Sequence, residues 1–342
     1  MNLVADRTAR QGGDLRGLDP TADYLDLGTC VNRYGPPPAV GEALRQVDLN
    51  ELRAHPYDAE TMFTSAYADY LGVEADELVA GRGITEFIRL LAALLPKDRV
   101  AVITPDYTDS IRNFPNHLPG GHTPATRLAR IEEAMRRYDY VLLSNPNNPL
   151  GIHIAPQDLA AVCRANPLAT LIVDEAYIDF TAHGGQRSMV WAGVRNVIVM
   201  LSPNKLFGIA GTRTGVLWTP IVELRGALAA RRLNWPISYL DALVASAALR
   251  ATDWAATTRA RLLETASELE TLLLRRYPGV VTGVPVHYRF VATEAAQQVH
   301  DELVRAGVVV RVFSGHQPGR VSGLRITAPT EGEMARVRLA LA

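Results

Sequence analysis

Between residues 77 and 218 the chain returns six times to a short run dominated by Val, Ile and Leu: "ELVAG" (77–81), "RVAVIT" (99–104), "YVLLS" (140–144), "TLIVDE" (170–175), "NVIVML" (196–201) and "TGVLW" (214–218). A strand with one wet face alternates apolar and polar residues. Most of these runs do not alternate, so both faces need cover. Helical patterns such as "TEFIRLLAALL" and "PQDLAAVCRA" lie between them and can supply it. The pattern predicts an α/β fold: a mainly parallel sheet flanked by helices.

The rest of the chain reads differently. Residues 238–277 are Ala/Leu/Arg-rich and helical in spacing. After them "GVPVHYRFVAT", "AAQQVHDELVRAG", "VVVRVFSG" and "GLRITAP" read as strand, helix, strand, strand, a smaller α+β unit. The segment "NRYGPPPAV" is too rich in proline for a helix interior. The expected organisation is an N-terminal arm over 1–40, a large domain over 41–237, and a linking helix with a small domain over 238–342.

Composition narrows the function classes. A formal net charge of -1 advertises neither nucleic acid nor a membrane surface, and no apolar run is long enough to span a bilayer. The polar start has no signal-peptide core. Two cysteines, Cys30 and Cys163, fit a reducing cytoplasm. The scattered histidines have no zinc-site spacing, so no metal is expected.

Open α/β sheets bind ligands beyond the carboxyl ends of their strands. Five loops follow expected strands: "GRGITE", "PDYTDS", "SNPNNPLG", "DEAY" and "SPNKLFG". They should open onto one crevice. Among 35 basic residues only Lys97 and Lys205 are lysines. Lys97 sits at a helix-to-strand turn and reads as a solvated charge. Lys205 follows an apolar strand, where desolvation and a cationic neighbour such as Arg213 can free its lone pair for Schiff-base chemistry. Asp174 ends an apolar run, where an unpaired charge is costly. Its partner is either the ring nitrogen of a pyridine cofactor or an arginine at the sheet edge. Tyr177 can donate to the cofactor's phenolic oxygen or simply pack in the core. The glycine turn through Gly83 and Thr85, with Ser202 and Arg213, can bind a phosphate. Glu86 stands where a dinucleotide fingerprint needs its third glycine, which disfavours a nicotinamide site. Asn148 can reach a cofactor and Tyr107 can stack on a flat ring, though both are also ordinary loop and packing residues.

In order, "NRYGPPP", "GRGITE", "PDYTDS", "NPNNPLG", "DEAY", "SPNKLFGIAGTRTG" and "GLRIT" span Asn32 to Thr327. This series resembles fold-type I pyridoxal-5'-phosphate (PLP) enzymes, in the group containing histidinol-phosphate aminotransferase and threonine-phosphate decarboxylase. The resemblance implies Lys205 as the Schiff-base lysine and Asp174 at the pyridine nitrogen. It places Asn148 and Tyr177 at the ring hydroxyl and Tyr107 on the ring. Ser202, Arg213 and the backbone of Gly83, Ile84 and Thr85 become the phosphate cup. Arg325 matches the arginine holding the substrate's anionic group, and Arg311 is a second such candidate. A homodimer with shared active sites is implied, in which Tyr34 and either His55 or Tyr57 face the neighbour's cofactor.

The sequence also departs from the family pattern. "AHPYDAE" puts His55 where a tyrosine is usual, Ile84-Thr85-Glu86 replaces Ser-Asp-Glu, and "TCVNRYG" replaces the commoner arm. The leading expectation is an aminotransferase acting on an anionic amino acid or amino phosphate. The alternative is a non-transaminating PLP enzyme: a decarboxylase, or an elimination and cyclisation enzyme of hydroxylated arginine like capreomycidine synthase. A non-catalytic PLP-fold sensor is a third, weaker reading.

Overall fold

The computed structural model describes residues 15, 18–182, 184–279, 281–283, 285–316 and 319–342. Its strands in chain order are β1 (Leu25–Asp26), β2 (Leu78–Gly81), β3 (Val100–Thr104), β4 (Asn116–Pro119), β5 (Tyr140–Ser144), β6 (Thr170–Asp174), β7 (Val197–Leu201), β8 (Gly215–Trp218), β9 (Val281–Thr282), β10 (Tyr288–Ala292), β11 (Val308–Val309), β12 (Arg311–Phe313) and β13 (Gly323–Thr327). Seven form the central sheet in the order β2-β8-β7-β6-β5-β3-β4. All pairings among β3 to β7 are parallel. Only β8 runs against both its neighbours, so the sheet is mixed but mostly parallel.

The six apolar runs become strands whose ends agree with the sequence reading to within one residue. Both faces are covered. Along β5, Val141 and Leu143 join one core while Leu142 between them joins another. The first core includes residues of the helices Ala59–Leu71, Pro156–Ala165 and Tyr239–Leu249. The second includes the inner face of the helix Ile84–Leu94. Each fully buried Val, Leu or Ile is worth about 1.5–3 kcal/mol, so this two-sided burial is the main force holding the sheet. The edge strand β4, "NHLP", is half-buried and polar, and no apolar run announces it.

The C-terminal unit pairs β12-β13-β10-β9 antiparallel. Its own core joins β10 and β13 to the helices Thr252–Arg276, Ala296–Arg305 and Glu331–Leu341. The arm is stitched to it: β1 pairs in parallel with β11, and Leu25 and Leu27 enter the same core. Arg33 reaches across to Glu333, which also caps the last helix through the Thr330 N–H. From there the arm turns back to the large sheet. Its Asn32 donates to the backbone carbonyls of Lys205 and Leu206.

Candidate active site

The rim at the carboxyl ends of the parallel strands opens into a cavity of about 470 Å³. All five strand-end loops reach it, through Gly83, Tyr107, Asn148, Asp174 and Lys205. Arg213 arrives by another route. Because β8 is antiparallel, its N-terminal end lies at this rim, and Arg213 just precedes it. A second cavity of about 190 Å³ adjoins the first; Tyr107, Asn148, Tyr177 and Lys205 line both.

One side of the larger cavity is built like an anion cradle. Gly83 caps the helix Ile84–Leu94 at φ +81°, a conformation that favours glycine. A Cβ there would come within 3.2 Å of an Arg213 guanidinium nitrogen. Ser202 lies at the same side, its Oγ donating to the Thr214 carbonyl at 2.9 Å. The first-turn N–H groups of a helix, a hydroxyl and a guanidinium are donors suited to phosphate.

Lys205 and Asp174 form two further walls of the larger cavity. Burial lowers the Lys205 amine's pKa from its ordinary value, with Arg325 and Arg213 adding to the effect and Cys30 and Asp174 opposing it. Asp174 ends β6 with its carboxyl pushed up to about 7, chiefly by burial and further by Asp106. Among the described residues it accepts one hydrogen bond, from the Ala176 N–H at 2.9 Å. No arginine pairs with it among the described residues, so the sheet-edge ion pair weighed from sequence is not what the fold builds. A buried carboxyl with so little local compensation suits a cationic ring nitrogen.

Asn148 is held from both sides. Its N–H donates to Ser144 Oγ at 3.0 Å, and its Oδ1 accepts from Arg325 Nη1 at 2.6 Å. Ser144 is fixed in turn by the buried Asp106 carboxylate. Arg325 also donates to the Gly28 carbonyl, and its Nε is buried with no partner among the described residues. Burial works against the Arg325 charge, but Cys30 and the tyrosines 177, 288 and 107 hold its pKa above the ordinary value. Tyr107 sits against Thr85, hydroxyl to hydroxyl at 3.1 Å, its pKa pushed up to about 12 by burial. Tyr177 is buried beside the Tyr288 ring, at 5.1 Å between centroids.

Three candidates lie elsewhere. Tyr34 bonds Glu331 and carries the Arg261 guanidinium over its ring at 4.0 Å. His55 stacks on Trp235 at 4.0 Å, and Tyr57 meets both edge-on while 69% exposed. None of these three lines either cavity. Conversely, Asp109 and Arg112 line both cavities and Cys30 the smaller one, although the sequence reading gave none of them a place in the site. Asp109 and Arg112 follow Tyr107 on the short helix Thr108–Asn113, two and five residues on, a spacing that could have exposed them.

The donor set fits pyridoxal phosphate: a lysine with a lowered pKa, a carboxyl suited to a ring nitrogen, and a phosphate cradle. Comparisons with known proteins agree. The family model "Aminotransferase class I and II" matches residues 22–341. Histidinol-phosphate aminotransferase 1 of Bradyrhizobium diazoefficiens is 29% identical over 334 residues, covering 94% of this chain and 93% of that protein. The histidinol-phosphate aminotransferase structure from Clostridium acetobutylicum superposes with a TM-score of 0.82 at 19% identity, over 92% of this chain and 97% of that one. The L-threonine-O-3-phosphate decarboxylase of Porphyromonas gingivalis shares the fold, with a TM-score of 0.78 at 20% identity over 92% and 97% of the two chains. This chain therefore belongs to the class I and II aminotransferases, a family of PLP-dependent enzymes.

Proposed function

We propose that this aminotransferase takes an amino acid or amino phosphate bearing an anionic group and transfers its amine with Lys205 as the acid–base residue. The observation that carries the reading is a lysine buried in the strand-end cavity, with Asp174 on another wall and the phosphate cradle at one side. Lys205 would hold the cofactor covalently through Nζ. When bound, the cofactor supplies a conjugated ring that accepts the electron pair released at the substrate's α-carbon. Asp174 keeps a proton at the ring nitrogen. Asn148 and Tyr177 would serve the ring hydroxyl, and Tyr107 would lie against the ring. Gly83, Ile84, Thr85, Ser202 and Arg213 hold the phosphate. The Lys205 amine, once free, would take the substrate's α-proton as general base and give a proton back as general acid. Arg325 seats the substrate's anionic group, with Arg311 beside it.

The relative's name points to an amino phosphate related to histidinol phosphate. Incubating the purified protein with candidate amines and 2-oxoglutarate tests the reading. Glutamate formation supports transfer. Carbon dioxide release or a cyclised product without glutamate replaces it with the lyase alternative.

We further read the enzyme as a cytoplasmic homodimer with an arm (1–40), a large domain (41–237) and a small one (238–342). A core joining β10 and β13 to the last two helices supports a small C-terminal unit, with residues 238–277 as a linking segment whose first part, through Leu262, packs into the large-domain core. Two buried free cysteines support a reducing compartment. Exposed Leu49, Leu52, Tyr57, Leu233 and Trp235 support an interface through which His55 or Tyr57, and Tyr34, serve a neighbouring site. Sedimentation at micromolar concentration tests it: a monomer removes the shared-site reading.

A further inference from the structure

Just past the end of β3, Asp106 carries a buried carboxyl with no part in the chemistry above. Its Oδ1 accepts from the Tyr107 N–H at 2.7 Å. Its Oδ2 accepts from the N–H and the hydroxyl of Ser144, each at 2.8 Å, and from Asn147 Nδ2 at 3.4 Å. The charge nearest to it is Arg127 on the helix Pro124–Met135, also buried, with Nη2 3.9 Å from Oδ2. That is too long for a hydrogen bond, and Arg127 directs its donors to the Ile103 and Thr104 carbonyls instead. Among the described residues, every hydrogen bond to Asp106 therefore comes from two strand-end loops, "PDYTDS" and "SNPNNPLG". Burial pushes the Asp106 carboxyl up to about 6, with Arg127, Ser144 and Tyr107 opposing, so it is ionised at neutral pH.

We infer that Asp106 is a positioning residue for the cofactor ring: one buried carboxylate that fixes Tyr107 and Asn148 relative to each other. The branch to Asn148 runs through Ser144. The Ser144 hydroxyl proton goes to Asp106, which leaves an oxygen lone pair for the Asn148 N–H at 3.0 Å. Asn148 in turn accepts from Arg325 Nη1 at 2.6 Å, so this branch ends on the guanidinium proposed to seat the substrate's anion. The other branch sets the backbone of Tyr107, whose hydroxyl meets that of Thr85 at 3.1 Å. The arrangement needs an ionised carboxylate, because both oxygens must accept. An amide would turn its NH2 toward either the Tyr107 N–H or the donors of Ser144, donor against donor. The same charge reaches the wall at Asp174. Ser144 is the cross-strand neighbour of Asp174, and Asp106 adds to burial in raising the Asp174 pKa.

This rests on the ring contacts proposed above, so the test reads ring placement and turnover separately. Circular dichroism in the visible band of the cofactor-loaded enzyme reports how the ring is held, and steady-state rates give kcat and KM. Asp106→Asn is expected to retain the cofactor, since Lys205 and the phosphate cradle are intact. It should lose at least about half of the dichroic signal and lower kcat by about 10–100-fold, the worth of a charge-assisted hydrogen bond. That variant also leaves Arg127 buried without a counter-charge, a cost to folding alone. Asp106→Asn combined with Arg127→Met removes both charges and should stay impaired in both readouts. Recovery of both to within about twofold of the parent would make Asp106 merely the counter-ion of Arg127 and overturn the inference. Ser144→Ala keeps both charges and cuts only the hydroxyl relay to Asn148; it should reduce the dichroic signal and lower kcat by about 10-fold. An unchanged signal and kcat in Ser144→Ala overturn the inference as well. If no amine is turned over by the parent enzyme, the transfer reading falls, and the dichroic signal of the same variants alone decides the role of Asp106.

Discussion

The cavity has two unlike sides. The cofactor side is made of strand ends: Gly83, Asp174, Ser202 and Lys205 each sit within four residues of a strand buried on both faces. The substrate side mixes connectors with a second sheet: the arm at Gly28–Cys30, the short helix Thr108–Asn113, and Arg311, Phe313 and Arg325 on β12 and β13. Strand ends are fixed by the sheet's register, so chemistry placed there inherits the core's rigidity. Connectors are held by scattered side-chain bonds, such as Arg320 to Thr108 and Arg325 to Gly28. On the roles proposed above, reaction type belongs to the strand ends and substrate choice to the mixed wall opposite.

Substitutions can break this contrast or sharpen it. The largest effect is expected at Lys205. Lys205→Ala should lower turnover about 10⁴-fold and abolish the visible band of bound cofactor, as read by spectroscopy and steady-state rates. Normal turnover in that variant would move the chemistry off the strand ends altogether. Asp174→Asn is next. It retains the side chain's size but cannot hold a cationic ring nitrogen, so kcat should fall about 10²–10³-fold with KM changed much less. A loss confined to KM would assign Asp174 to the substrate side.

A third test uses pH. The Asp174 carboxyl ionises near 3.8 in the unfolded chain and at about 7 in the folded, cofactor-free protein. Between those values the unfolded chain has already released a proton that the folded one keeps. Stability is therefore lost as pH rises from about 4 through about 7, with a slope of at most about 1.4 kcal/mol per pH unit for this one proton. Glu175, raised to about 8 by burial, acts in the same direction. Thermal unfolding of the cofactor-free protein across this range should show the fall, and Asp174→Asn should flatten part of it. The smallest effect is expected far from the rim. Trp235→Ala removes the ring under His55 and should weaken self-association measured by sedimentation by about 10-fold, comparable to the worth of one aromatic pair. An unchanged association constant would place the interface elsewhere.

The same contrast explains what the sequence revealed. The six central strands were legible because burial on both faces leaves continuous Val, Ile and Leu runs. Lys205 and Asp174 were legible because a charge at the end of such a run needs a reason. β4 was not, since an edge strand needs no apolar run, and "NHLP" has none. β1 was not, because a two-residue ladder to β11 depends on a partner nearly three hundred residues away. Arg112 carried no signal in a chain rich in arginine; only the fold brings it toward Arg311 and Arg320. Cys30 likewise spoke in the sequence only to redox compartment; the fold brings the arm back to set it beside Lys205 and Thr327.

The reversal of β8 has a consequence for how such a chain can diversify. The excursion carrying Lys205 leaves β7 and returns through β8 at the same rim of the sheet, clasped at its neck by the hydroxyl of Ser202 on the carbonyl of Thr214. Residues added near its tip, around Gly211, would lengthen a flap without sliding any strand. That makes the segment open to insertion while Lys205 keeps its station.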